Sequence, residues 1–269
     1  MPMKKPLFIL FVLLVACAVA WPRPAGAGAK KTGIILLHGK DDDRKWIKPL
    51  AEALDDAGFL IATPLMPWSR DRIYDRSYME SLAQIDWTAK AMKKLGAERI
   101  FVAGHSLGAN VALGYGSRRT VPAGIILLAP AHLPSGRVFA KRTAQSRKLA
   151  RQMVAQGKGR EKREFIDFNQ GRKSTVTTTA DIYLSWFAPG GPANMQLNAR
   201  ALTPRLPVLW VAGDQDHVAS VLAKRMAYGP LTMNQGTKYV EVAGRHLDTP
   251  ARAAPHIVAW IKELDKSGK

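Results

Sequence analysis

The chain has 269 residues, 47% hydrophobic and 23% charged, with 22 Gly and 17 Pro. Such values belong to an ordinary globular protein and exclude a collagenous, coiled-coil or largely disordered chain. One Cys excludes an intrachain disulfide framework and a thiolate zinc cluster, while a net charge of +19 raises nucleic acid, anionic membrane or acidic substrate as candidate partners.

Lys4 and Lys5 precede an apolar run, Leu7 to Ala20, followed by Trp21, Pro22 and the small residues Ala25-Gly26-Ala27. That order predicts an export signal over residues 1–29. The run is shorter than the ~20 residues needed to cross a bilayer core, which disfavours a retained anchor. Leu14-Val15-Ala16-Cys17 resembles a bacterial lipoprotein signal, so Cys17 is a candidate lipidation site. Against it, the apolar run continues through Trp21, whereas a lipoprotein's mature start is polar. The expected location is periplasmic or secreted, with lipid anchoring to the membrane as the variant. Lys4, Lys5 and Arg23 leave with the signal, so a charge of +16 remains.

Residues 30–269 read as a single domain. Thr32 to Leu37 is a short apolar run ending at His38-Gly39, as in a buried strand. A helix is expected over Trp46 to Ala57, with the acids Asp41-Asp42-Asp43 capping it rather than holding a metal. Phe59 to Met66 is the next apolar run. Ser77-Tyr78-Met79-Glu80 has the form of a capping box, and Tyr78, Leu82, Ile85, Ala89 and Met92 recur at helical spacing as core packing. Strands follow at Arg99 to Ala103, Gly124 to Ala129, Val208 to Ala212 and Lys238 to Val242. A last amphipathic helix carries Ile257, Trp260, Ile261 and Leu264. Alternating strands and helices predict an α/β fold, a mostly parallel sheet with helices on both faces. Residues of about 134–205 exceed any ordinary crossover and read as a helical cap insertion. It is basic: twelve Lys/Arg against three Asp/Glu lie between Pro134 and Lys173.

Gly104-His105-Ser106-Leu107-Gly108 has the G-x-S-x-G pattern. A nucleophilic serine needs a sharp strand-to-helix turn so that its Oγ projects from the sheet, and small flanking residues permit that turn. Here an apolar strand precedes the pattern and small helical residues (Ala109, Ala112, Gly114) follow. Asp214 and Asp216 lie just past one strand end, and His246 lies past the last strand. Strand ends are where open α/β sheets build their sites. A serine hydroxyl is a poor nucleophile until a base takes its proton, and an imidazole serves only if its other nitrogen is held. His38 and His105 read as packing beneath such a site. His132 and His217 read as partly exposed loop residues at its rim, and His256 as surface.

These motifs, in the order Ser, Asp, His, resemble the α/β-hydrolase superfamily from about Thr32 to Leu264, the insertion excepted. The resemblance implies Ser106 as nucleophile, His246 as general base and then acid, and Asp216 as the orienting carboxylate. Asp216 stands three residues after the strand-end Gly213, where the superfamily carries its acid; Asp214 is the second choice. The resemblance also implies an oxyanion hole from the backbone N–H groups of Lys40 and Leu107, with no cofactor or metal. Pro64 to Asp71 departs from the superfamily's D-x-x-G-x-G-x-S segment and is similar to exported bacterial hydrolases of unassigned substrate. A serine at position 106, where dehalogenases and epoxide hydrolases carry Asp, argues against both. The implied function is a carboxylesterase- or lipase-like serine hydrolase acting on a small or lipid-like acyl ester or thioester. An acyltransferase with the same triad is the alternative. A non-catalytic protein docking on an anionic membrane or envelope surface through the basic insertion is another. Export and the absence of a recognised motif argue against nucleic acid.

Overall fold

The computed structural model describes residues 32–216 and 219–267. The expected export signal over residues 1–29, its candidate Cys17 and His217 lie outside them. Strand β1 (Thr32–Leu37) is followed by α1 (Lys48–Asp56), β2 (Leu60–Ala62), α2 (Tyr78–Lys94), β3 (Arg99–His105), α3 (Leu107–Gly116) and β4 (Gly124–Leu128). The insertion carries α4 (Arg137–Arg142), α5 (Ala144–Ala155), β5 (Lys162–Asn169), β6 (Arg172–Thr179), α6 (Ala180–Phe187) and α7 (Met195–Arg200). Then come β7 (Val208–Gly213), α8 (Ala219–Ala223), a π turn at Lys224–Tyr228, α9 (Gly229–Leu231), β8 (Lys238–Val242) and α10 (Thr249–Lys266).

Six strands form one parallel sheet in the order β2-β1-β3-β4-β7-β8. Successive strand residues point to opposite faces, so each strand feeds two cores. Ile34, Leu36, Phe101, Ile126 and Leu209 pack with Leu50 and Leu54 of α1 and Ile257 and Trp260 of α10. Ile35, Leu37, Val102, Leu127 and Trp210 pack on the other face with α2, α3 and the insertion. Burial on both faces accounts for the unbroken apolar runs. The chain first adds β2 beside β1, then crosses to add β3 on the other side. That reversal opens a crevice at the strand C-termini, and both His38-Gly39 and Ser106 border it.

Local chemistry sets the boundaries. Ser77 accepts the Glu80 N–H while Glu80 reaches back to the Ser77 N–H, so the capping box starts α2 as expected. Helix α1 begins later than expected, at Lys48. The acids before it close a turn instead: Asp42 and Asp43 both accept the Lys45 N–H, at 3.1 and 3.2 Å. Strand β2 spans only three residues, because Pro64 and Pro67 just beyond it have no N–H to extend the ladder.

The insertion is not wholly helical. Between α5 and α6 the chain forms an antiparallel hairpin, β5–β6, paired from Lys162↔Thr179 to Asn169↔Arg172. Gln170 and Gly171 both take positive φ, 46° and 80°, as a two-residue hairpin turn requires. The run Ser174 to Thr179 is mostly β-branched, which favours a strand over a helix. Trp186 of α6 seats the cap on the sheet layer. Its ring meets Trp68, Tyr74 and Tyr78 edge-on at centroid distances of 5.5, 5.3 and 5.0 Å.

Candidate active site

Ser106 stands between β3 and α3 with φ 56° and ψ −115°. This strained conformation lifts the side chain from the sheet, and the neighbouring glycines permit it. A Cβ on Gly104 would lie 2.2 Å from the Gly108 carbonyl, and one on Gly108 would lie 2.5 Å from the Leu37 oxygen. The elbow is held by Ser106 N–H donating to Leu128 at 2.9 Å and Ala131 N–H donating to Ser106 at 3.2 Å.

His246 follows β8 and Asp216 follows β7. His246 Nδ1 and Asp216 Oδ2 are 2.6 Å apart, with side chains 12% and 6% exposed. A contact this short fits an N–H donor meeting a carboxylate. The other ring nitrogen, Nε2, is buried without a protein partner. Ser106, His105 and His246 line one cavity of about 50 Å³. No hydrogen bond closes between Ser106 Oγ and His246 Nε2, a looseness common to such sites before substrate arrives. Asp214 is exposed and does a different job: its Oδ1 accepts the Gly244 N–H at 2.9 Å, pinning the loop that carries His246.

The loop after β1 reaches the serine closely. A Cβ on Gly39 would lie 3.6 Å from the Ser106 Cβ and 3.2 Å from His105 Nδ1. His38 braces this loop, donating from Nδ1 to the Gly39 carbonyl at 2.8 Å and accepting the Met66 N–H on Nε2 at 3.0 Å. Burial lowers its pKa to about 4, so the ring is neutral. Trp68 Nε1 donates to the His38 carbonyl at 2.9 Å, and Asp41 N–H to the Trp68 carbonyl at 3.0 Å. Leu107 opens α3, where helix N–H groups lack intrahelical acceptors. Among the described residues, neither the Lys40 nor the Leu107 N–H has a protein acceptor.

His105 donates from Nε2 to the His246 carbonyl at 2.9 Å, and the two rings lie 4.9 Å apart. Burial, then the neighbouring His246, lowers its pKa to about 3. His132 corrects an expectation: it is buried, at 8% exposure, rather than a partly exposed rim residue. Its Nε2 donates to the Trp186 carbonyl at 2.9 Å, and burial lowers its pKa to about 3. The polar bond lets the ring sit under the cap, between Phe139 and Phe187. His256 is exposed, as expected.

Two further features went unread in the sequence. The Lys40 side chain, for which no role was expected, turns into the cap and pairs with Asp167 of β5 at 2.7 Å, each side chain 5% exposed. The hairpin tip, Asn169 and Gln170, lines the same cavity as Ser106 and His246. Lys40, Asp41 and Asn169 also border a second cavity of about 290 Å³, lined by Trp68, Tyr74 and Val176. The turn Gln170-Gly171 was the available signal for the hairpin. Among the described residues no group of His, Cys, Asp or Glu is arranged to hold a metal.

A parallel sheet covered on both faces, with a strained serine at the end of β3 and a carboxylate–histidine pair past the ends of β7 and β8, defines a hydrolase of the α/β class. The family model described as serine aminopeptidase, S33, matches residues 70–247, about two thirds of the chain, and the chain belongs to this α/β-hydrolase family. No curated protein matches the sequence. Among solved structures, one from work on the metagenome-derived lipolytic enzymes LipS and LipT is similar at TM-score 0.62 and 15% identity, covering 88% of this chain and 94% of that one. A monoacylglycerol lipase of Paleococcus ferrophilus is similar at TM-score 0.59 and 20% identity, covering 86% and 92%. A thioesterase domain from the curacin biosynthetic pathway is similar at 0.54 and 17%, covering 87% and 92%. At these identities the likeness is one of fold.

Proposed function

We propose that the protein is a serine hydrolase that cleaves a carboxylic ester or thioester through an acyl-enzyme on Ser106. The observation that carries this is Ser106, at its strained elbow, sharing a cavity with a His246 whose Nδ1 is held 2.6 Å from Asp216. His246 Nε2 takes the Ser106 proton as Oγ attacks the acyl carbon. Negative charge then develops on the carbonyl oxygen, facing the Lys40 and Leu107 N–H groups. Each such donor contributes ~10²–10³-fold in rate. His246 gives the proton to the departing alcohol or thiol, and water repeats the sequence to free the acid. No step calls for a metal or organic cofactor. The confined cavity at Ser106 suits a small or slender acyl group, with the 290 Å³ cavity beside it taking a bulkier substituent of mixed polarity, since Arg70, Asp167, Ser174 and Thr175 share its lining with Trp68, Tyr74 and Val176. Esterases and lipases among the structural relatives support this substrate class. A chain-length panel of p-nitrophenyl esters tests it: turnover abolished by Ser106→Ala is expected, and no turnover of any ester by folded protein overturns it.

The signal over residues 1–29 supports export to the periplasm or medium as the working location. A second reading concerns the cap, whose Lys and Arg residues between Pro134 and Lys173 are exposed except for Arg147. Arg137, Lys141, Arg142 and Lys173 line a cleft of about 740 Å³ with no acid in its lining. That face supports docking of the enzyme on an anionic membrane or envelope surface. Vesicle binding should rise with anionic lipid content and fall with salt; binding indifferent to both removes this reading. An acyltransferase shares every step up to the acyl-enzyme, and acyl transfer to an added alcohol in preference to water would identify one.

A further inference from the structure

Lys40 carries two functions on one residue. Its backbone N–H belongs to the loop against Ser106, and its side chain leaves that loop for the interior of the cap. There the ammonium pairs with Asp167 at 2.7 Å, both side chains 5% exposed, and lies 5.6 and 5.5 Å from the ring centres of Phe139 and Phe187. Phe139 belongs to α4, Phe187 to α6 and Asp167 to β5. Two residues beyond Asp167, Asn169 begins the hairpin tip, and Asn169 and Gln170 border the Ser106 cavity. The pair therefore joins segments 127 positions apart in sequence, one carrying the proposed oxyanion donor and the other the cap's reach over the nucleophile.

A buried ammonium needs its partner. Without Asp167 the charge on Lys40 would be held among aromatic rings with nothing to neutralise it, and the side chain would be driven toward water. The tie between the Gly39–Lys40 loop and the hairpin would be lost with it, leaving the loop to the hydrogen bonds around His38 and Trp68 alone. Oxyanion donors work only at hydrogen-bond distance from the developing charge, and a displacement of about 1 Å costs about 10²-fold.

We propose that Asp167 is a positioning residue. Its buried ion pair with Lys40 seats the hairpin tip and the Gly39–Lys40 loop as one unit, so the oxyanion donor is in place only when the cap is docked. This rests on the serine-hydrolase reading of Ser106. It adds that a cap residue with no part in bond making, although it borders the 290 Å³ cavity, sets the rate of the acyl step.

The test uses the whole chain with two variants. Asp167→Asn removes the carboxylate charge at nearly constant shape. The double variant Lys40→Met/Asp167→Leu leaves no charge buried, so it keeps the fold if the single variant loses it, and it still lacks the directional bond that ties the loop to the hairpin. Steady-state turnover of a p-nitrophenyl ester and hydrogen exchange of the backbone amides of residues 39–46 are measured together. In both variants kcat should fall about 10- to 100-fold with KM within about threefold, because the lost contact acts in the transition state. Exchange of the 39–46 segment should accelerate about tenfold or more, and Asp167→Glu should restore most of kcat. A folded double variant with kcat within about twofold of wild type overturns the proposal, as does a fall in kcat with unchanged exchange or a rise in KM alone. If the wild type turns over no ester, or Ser106→Ala matches it, the hydrolase reading fails instead. The exchange result then decides by itself whether the pair seats the loop.

Discussion

The two aspartates after β7 allow a sharp test, because they stand two residues apart and face different work. Asp216→Asn keeps the shape of the side chain and removes its charge. In the native site Oδ2 lies 2.6 Å from His246 Nδ1, and the Asp216 side chain is 6% exposed. In the proposed mechanism His246 takes the Ser106 proton and becomes an imidazolium, with Asp216 as its counter-charge. Two unit charges about 4 Å apart interact by roughly 4 kcal/mol at the effective dielectric of a partly buried site, which is about 10³ in rate. Loss of the fixed tautomer adds to this, so kcat should fall by about 10³–10⁴. Asp214→Asn replaces a charged acceptor of the Gly244 N–H, 2.9 Å away, by a neutral one. It should cost about 0.5–1.5 kcal/mol of stability and leave kcat within about threefold. Ester turnover and urea unfolding of both variants settle the matter. The assignment of the acid is wrong if Asp214→Asn is the more damaging to kcat, or if Asp216→Asn keeps more than about a tenth of it.

Other consequences follow from the same geometry. Gly108→Ala would place a methyl 2.5 Å from the Leu37 oxygen and 2.6 Å from the His38 oxygen, both backbone atoms. Ester turnover should be lost even in preparations that remain folded by circular dichroism, and wild-type turnover would contradict the packing. Trp186→Ala removes a ring packed on Trp68, Tyr74 and Tyr78, and should cost about 3–5 kcal/mol in urea unfolding; less than about 1 kcal/mol would show that the cap does not depend on it. His38, His105 and His132 have folded pKa values lowered to about 4, 3 and 3, against about 6.5 when unfolded. The unfolded chain therefore binds more protons between those limits. Stability from neutral burial is fully present above pH 6.5 and is lost as pH falls toward 4, by up to ~1.4 kcal/mol per pH unit for each histidine. An unfolding midpoint that stays constant from pH 7 to 4.5 would contradict this.

What could be read from the chain followed burial and local rules. The strands buried on both faces announce themselves as apolar runs, and Lys238 to Val242 matches its strand residue for residue. The elbow was legible because a strained serine demands small neighbours at fixed offsets. Asp216 was harder, since two acids follow Gly213; the resemblance ranks Asp216 first, and in the structure Asp216 meets His246 while Asp214 meets Gly244. The hairpin escaped because most of its residues are exposed and Lys162, Arg163 and Glu164 mask the alternation of its buried Phe165 and Asp167. His132 looked like a loop residue because its burial depends on α6, more than fifty positions away. The same holds for Lys40: its neighbours Gly39 and Asp41 say where the backbone goes, and nothing local says that the side chain meets Asp167. Side chains whose partners are distant in sequence are the part that a single sequence leaves unread.

The most direct measurement is covalent capture of the nucleophile. The folded protein is treated with a fluorophosphonate, digested and mapped by tandem mass spectrometry. If Ser106 is activated by His246 and Asp216, the adduct sits on the peptide spanning the β3–α3 elbow, at Ser106, and is absent from Ser106→Ala. An unlabelled wild type, or a label that persists in Ser106→Ala, would contradict the assignment.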